Sequence, residues 1–137
     1  MHKPPFEIDH DARRQLLTLR LVGLWDRAIL DDYTAALNSI FSKVEASGRS
    51  TSGYRVLVDL REHGLQPRDI AAEIEARLSR GAAQASRHAI LVSGSVLHRM
   101  QVKRAGAQIE AYIFVDEAEA MQWLLTETRP NAAPPDV

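Results

Sequence analysis

Apolar residues recur along this chain in two rhythms, and the rhythms alternate. Short apolar runs occur at Leu16 to Val22, Tyr54 to Leu60, His88 to Val92 and Tyr112 to Val115. Each is followed by a turn and then by a stretch in which apolar residues return every three or four positions. The first rhythm is that of strands and the second that of amphipathic helices, so the pattern predicts a mostly parallel sheet covered by helices. Ahead of the first run, Phe6, Ile8 and His10 alternate with Glu7, Asp9 and Asp11. Strict alternation over six residues predicts a half-exposed strand at a sheet edge. The turn Asp11-Ala12-Arg13-Arg14 joins it to the second strand, where Leu17, Leu19 and Leu21 supply one buried face and Leu16 and Val22 the other.

The helix signals are equally local. Asp26 is placed to cap the first long helix, because its carboxylate can accept the orphan N–H groups of the first turn. Ile29, Tyr33, Ala36, Leu37, Ile40, Phe41 and Val44 form its inward stripe, and Gly48 ends it before a polar linker from Gly48 to Gly53. Pro67 suits the first turn of a second helix, with Ile70, Ala71, Ile74 and Leu78 facing inward and Gly81 as its interruption or end. A weaker helix is expected from about Val96 to Ala105, anchored by Leu97 and Met100. The last helix follows Asp116, which with Glu119 has capping-box spacing, and it lines Ala120, Met121, Leu124 and Leu125 inward. Trp25, in the turn between strand and helix, is read as covering the end of the core rather than as an exposed contact. Residues 1–128 make one domain, and residues 129–137, with three prolines, are expected to be a disordered tail.

The order β-β-α-β-α-β-α-β-α and the closing stretch Ile113-Phe114-Val115-Asp116-Glu117-Ala118-Glu119-Ala120-Met121-Gln122-Trp123-Leu124 resemble the STAS / SpoIIAA-like family, in its branch of small stand-alone bacterial domains. The resemblance runs over roughly residues 6–126 and implies a single α/β domain with four or five strands and four helices. It further implies a non-enzymatic module that binds a protein partner, also as a homodimer. Anti-sigma-factor antagonists of this fold carry a serine turn after the strand equivalent to Tyr54–Leu60, where phosphorylation switches the partner. Here that strand is followed by Arg61-Glu62-His63-Gly64-Leu65, and the next hydroxyl residue is Ser79. The resemblance therefore does not carry the phospho-switch over to this position. Another branch of the fold resembles lipid-transfer domains, which gives the alternative of a carrier for a lipid-like or small apolar ligand.

Composition narrows the chemistry. The 137 residues contain no cysteine, which removes disulfides, thiolate catalysis and cysteine-ligated metal sites. No apolar stretch approaches the roughly 20 residues that span a bilayer, and the start Met1-His2-Lys3-Pro4-Pro5 has no apolar run behind it. A cytoplasmic protein without a cofactor is expected.

Charge is distributed unevenly. The net charge is −1, yet no acidic residue lies between Glu75 and Glu110, where Arg77, Arg80, Arg87, Arg99, Lys103 and Arg104 all fall. Arg99 and Lys103 share a helix face, His98 and Arg104 flank them, and the turn Ser93-Gly94-Ser95 would offer free N–H groups at the start of the same helix. These seven residues are the candidate docking site for a phosphate, an acidic head group or an acidic protein. The commoner fate of such a run is a solvated face, here balanced by the acidic start of the last helix. Nucleic acid is disfavoured, since the interval contains no Phe, Tyr or Trp for stacking. Ser93, Ser95, His98 and Asp59 include the residue types of a hydrolase triad, but the nucleophile-elbow pattern is missing and Ser95 is better placed as a helix cap. On a strand, Asp9 and Asp11 point away from His10, so these three do not converge on a metal.

Overall fold

The computed structural model describes residues 4–49, 53–80, 87–93, 100, 101, 103 and 111–126. Five strands form one sheet: β1 (Phe6–Asp11), β2 (Leu16–Val22), β3 (Arg55–Glu62), β4 (Arg87–Leu91) and β5 (Ala111–Phe114). Three helices accompany them, α1 (Arg27–Ala46), α2 (Arg68–Arg80) and α3 (Glu117–Leu125). Residues 100, 101 and 103 are also helical, within the span expected for a helix between β4 and β5. The linker residues 50–52, Gly81 and the tail from residue 127 onward lie outside the described residues.

The spatial order of the strands is their order in the chain. β1 and β2 pair antiparallel as a hairpin, and β2, β3, β4 and β5 follow in parallel. Successive crossovers that step in the same direction and share one hand put their helices on the same face. Accordingly α1 and α2 pack together with Leu17, Leu19, Leu21, Val56, Leu60 and Ile90 on one face. α3, which follows the last strand, covers the other, where Leu16, Leu57, Ala89, Leu91 and Phe114 meet Ala120, Trp123 and Leu124.

The ends of α1 are set locally. Asp26 Oδ1 accepts the Ile29 N–H at 2.9 Å. At the far end Gly48 N–H bonds Glu45 C=O and Arg49 N–H bonds Val44 C=O, the reciprocal pair that closes a Schellman ending. Asp116 likewise caps α3 by accepting the Ala118 N–H at 2.9 Å. Trp25 is buried, with Phe6, Tyr33 and His63 around its ring at centroid distances of 6.1, 5.1 and 4.9 Å. Burial alone pushes the Tyr33 phenol above its ordinary range.

Three expectations are corrected. Leu125, expected on the inward side of the last helix, is exposed. Met100 does not anchor a helix to the core: 62% of its surface is exposed. β3 also continues through Arg61 and Glu62 instead of turning there, because Glu62 pairs with Val22 beyond a register shift in β2 and accepts the Gly23 N–H.

Candidate functional site

The loops that leave the C-terminal ends of β2 and β3 converge on one side chain, Gln66. It is 6% exposed and follows β3 by four residues. Its Oε1 accepts the Trp25 N–H at 2.8 Å. Its Nε2 donates to His63 C=O at 2.7 Å, Gly23 C=O at 3.0 Å and Gly64 C=O at 3.3 Å. Gly23 and Gly64 have φ of +77° and +72°, and these left-handed turns belong to the two loops whose carbonyls Gln66 gathers. From the other side Gln101 clasps the Gln66 backbone, accepting its N–H at 2.9 Å and donating to its C=O at 3.2 Å. A buried amide with its donors and acceptors matched is rigid, because losing any partner leaves a desolvated polar group.

Outside this knot the rim is apolar. Leu24 sits between Gly23 and Trp25, Leu65 precedes Gln66, and Met100 precedes Gln101. All three are exposed, at 69%, 49% and 62%. Val115, at the end of β5 on the same side of the sheet, is exposed as well. Exposed apolar side chains mark a contact surface where they gather into one patch.

Of the residues singled out in the sequence, two are described. Ser93 directly follows Val92, whose N–H bonds Phe114 C=O, so it stands half-buried at this rim. Lys103 is exposed, two positions after Gln101 in the same helical stretch. Gly94, Ser95, His98, Arg99 and Arg104 lie outside the described residues.

The basic interval is not one surface. Arg77 is bound to Asp31 at 2.6 Å, Glu73 at 3.1 Å and Thr34 at 2.9 Å, clasping α2 to α1. Arg87 is buried, donates to Trp123 C=O at 2.8 Å and lies over the Trp123 ring. Burial, aided by the neighbouring Arg55 charge, pulls its guanidinium below the ordinary arginine range. Two of the six cations are therefore structural, and His88 beside Arg87 is pushed by burial down to about 4.

A second polar centre lies on the α3 face. Asp59 is buried, and its carboxylate takes two hydrogen bonds from the Arg61 side chain, at 2.8 and 3.0 Å, and one from Arg20 at 3.3 Å. Arg61 also reaches Glu117 at 2.8 Å, tying β3 to the start of α3. Burial pushes the Asp59 carboxyl up, but the Arg61 bonds and the charges of Arg61 and Arg20 outweigh it and hold it below the usual carboxylate range. A carboxylate fixed by two guanidinium groups is a counter-ion, unfit to act as a general base. His10 is similarly engaged, its Nε2 lying 2.7 Å from the Tyr54 hydroxyl.

No family model matches the chain, and no curated protein matches it. A solved structure does. It is that of an uncharacterized protein of the DUF3478 family with a SpoIIAA-like fold from Shewanella loihica PV-4, at a TM-score of 0.64 and 20% identity. The match covers 87% of this chain and 91% of that one. The chain has a SpoIIAA-like, STAS-type fold. At this identity the likeness is one of architecture, and it agrees with the order of elements legible in the sequence. Within this SpoIIAA-like frame the turn after β3 is occupied by His63, Gly64, Leu65 and Gln66, and its structural demand is met by an amide. Sequence reasoning passed over Gln66, Leu24 and Leu65. The two glycines spaced to leave β2 and β3 were the available signal for the knot.

Proposed function

We propose that this protein is a non-enzymatic interaction module that docks a protein partner on the rim formed by Leu24, Leu65, Met100 and Lys103. The observation that carries the reading is the union of a rigid, buried Gln66 knot with exposed apolar side chains on the residues flanking it. Preorganised apolar anchors lose little freedom on binding, which is what a specific interface requires. The β3–α2 turn has no hydroxyl group, so docking here is not switched by phosphorylation at that turn.

The test is site-specific photo-crosslinking from position 24 or 65 in the native host, with Leu125 as the control position. A defined partner captured from both rim positions, and lost from the Leu24→Ser and Met100→Ser proteins, supports the reading. Capture at Leu125 alone, or partner binding that survives both substitutions, overturns it. A native mass spectrum separates the carrier alternative, since an extractable adduct of small-molecule mass would replace a docking role with ligand transport.

A further inference from the structure

The outer edge of β1 has no strand beside it among the described residues. β1 forms one margin of the sheet and pairs, among the described residues, with β2 alone. Val22 N–H bonds Pro5 C=O at 2.9 Å, which makes Pro5 and Val22 a hydrogen-bonded pair of the antiparallel ladder. Such pairs alternate along two strands. With the register Glu7↔Arg20, Asp9↔Thr18 and Asp11↔Leu16, the main chains of Glu7, Asp9 and Asp11 are spent on β2. Those of Phe6, Ile8 and His10 then turn their N–H and C=O groups to the open edge.

The side chains on either side of that edge differ in kind. Phe6 and Ile8 are half-buried on the α1 face, beside Tyr33, Leu37 and Ile40. Glu7, Asp9 and Asp11 stand on the opposite face, in a row spaced by about 7 Å. α3 covers that face over β3, β4 and β5. Arg14 pairs with Asp11 at 3.5 Å, while Glu7 and Asp9 are exposed and form no ion pair among the described residues.

We propose that β1 binds an extended segment of a partner in which Lys or Arg alternates with aliphatic residues. Added as a sixth strand, the segment would bond the outward main-chain groups of Phe6, Ile8 and His10. Its cations would lie against the carboxylate row and its aliphatic residues would extend the apolar surface of Phe6 and Ile8. A second copy of this chain does not suit the edge, because two β1 strands side by side would set carboxylate row against carboxylate row. The edge adjoins the Gln66 rim where Phe6 packs on Trp25, but it binds through other groups, so either proposal can fail without the other.

A short labelled peptide alternating lysine and valine is the probe, with its glutamate–valine counterpart as control. The lysine peptide should bind, bind more weakly as salt rises, and slow amide exchange at Phe6, Ile8 and His10, whereas Glu7 and Asp9 are protected already. Asp9→Lys, at an exposed position that leaves the fold intact, should weaken binding by about tenfold or more. Ile8→Pro removes an outward N–H without touching the β1–β2 ladder and should weaken it also. Failure of the lysine peptide to bind overturns the proposal, as does equal binding of the glutamate peptide. Binding that leaves the three outward amides unprotected, or that is indifferent to Asp9→Lys, overturns it too.

Discussion

The two faces of the sheet solve burial differently. Under α1 and α2, Leu17, Leu19, Leu21, Val56, Leu60 and Ile90 make an apolar layer that runs across the inner strands. Under α3 the apolar layer of Leu16, Leu57, Ala89, Leu91 and Phe114 gives way to Arg20, Asp59, Arg61 and Glu117 toward the C-terminal ends of β2 and β3. The cause is length and position. α1 has 20 residues and shares its face with α2, while α3 has nine and lies alone at the β3–β5 side. There the buried Asp59 carboxylate is neutralised by Arg20 and Arg61, and Arg61 carries the network on to Glu117 at the start of α3. Structural rigidity thus concentrates on one face, and the edge and rim that remain open are where binding is to be sought.

The largest expected effect tests whether the two faces share one cooperative core. Leu17 and Leu91 are fully buried on opposite faces, so Leu17→Ala and Leu91→Ala should each cost about 3 kcal/mol in urea unfolding. A single transition in both proteins is expected, and separate transitions would show that the faces unfold independently. Next, Asp59→Asn leaves Arg20 and Arg61 facing a neutral group and should cost about 2 kcal/mol. Its acid dependence has a definite sign. With a depressed folded-state pKa, Asp59 stabilises above the ordinary carboxylate pKa, and this is lost as pH falls through the lowered value. The asparagine protein should lose that part of its acid sensitivity.

Gln66→Ala opens the rim without touching either face, and about 2 kcal/mol is expected because the Trp25 N–H is left buried and unmatched. An effect of similar size comes from His88. With a folded-state pKa near 4 against an ordinary 6.5, the folded protein binds fewer protons than the unfolded one between these values. Stability should therefore fall as pH drops from 6.5 toward 4, by about 2 kcal/mol near pH 5, and His88→Gln should flatten that slope in thermal melts. Smallest in stability are Leu24→Ser and Met100→Ser, each within about 0.5 kcal/mol. Their consequence should appear in partner capture alone, and a large loss of stability would mean that these side chains belong to the core.

Much of the architecture could be read from one-dimensional pattern. Alternation over Phe6–Asp11 marked an edge strand, Asp26 and Asp116 marked helix starts, Gly48 marked an end, and Trp25 was read as core cover. These signals are local, so a few neighbouring residues determine them. The site was less legible. Charge and turn composition single out Ser93 and Lys103, which stand just after β4 and in the helical stretch beyond it, whereas the exposure of Leu24 and Leu65 has no local mark. Met100 looked inward by helical spacing and is exposed, because spacing defines a face of a helix without saying whether another element covers it.

The sequence by itself determined the order and type of the elements, their caps and the alternation of each strand, since main-chain conformation responds to steric and hydrogen-bonding preferences within a turn or two. The tertiary structure alone decided which charges are spent and which polar group is central. Gln66 meets Trp25 and Gln101, Arg77 meets Asp31, and Arg87 meets Trp123 across 35 to 46 residues of chain. An amide or a guanidinium carries no mark of its distant partner. Only the packing of strands in order, with two helices on one face and one on the other, brings those partners within hydrogen-bond reach.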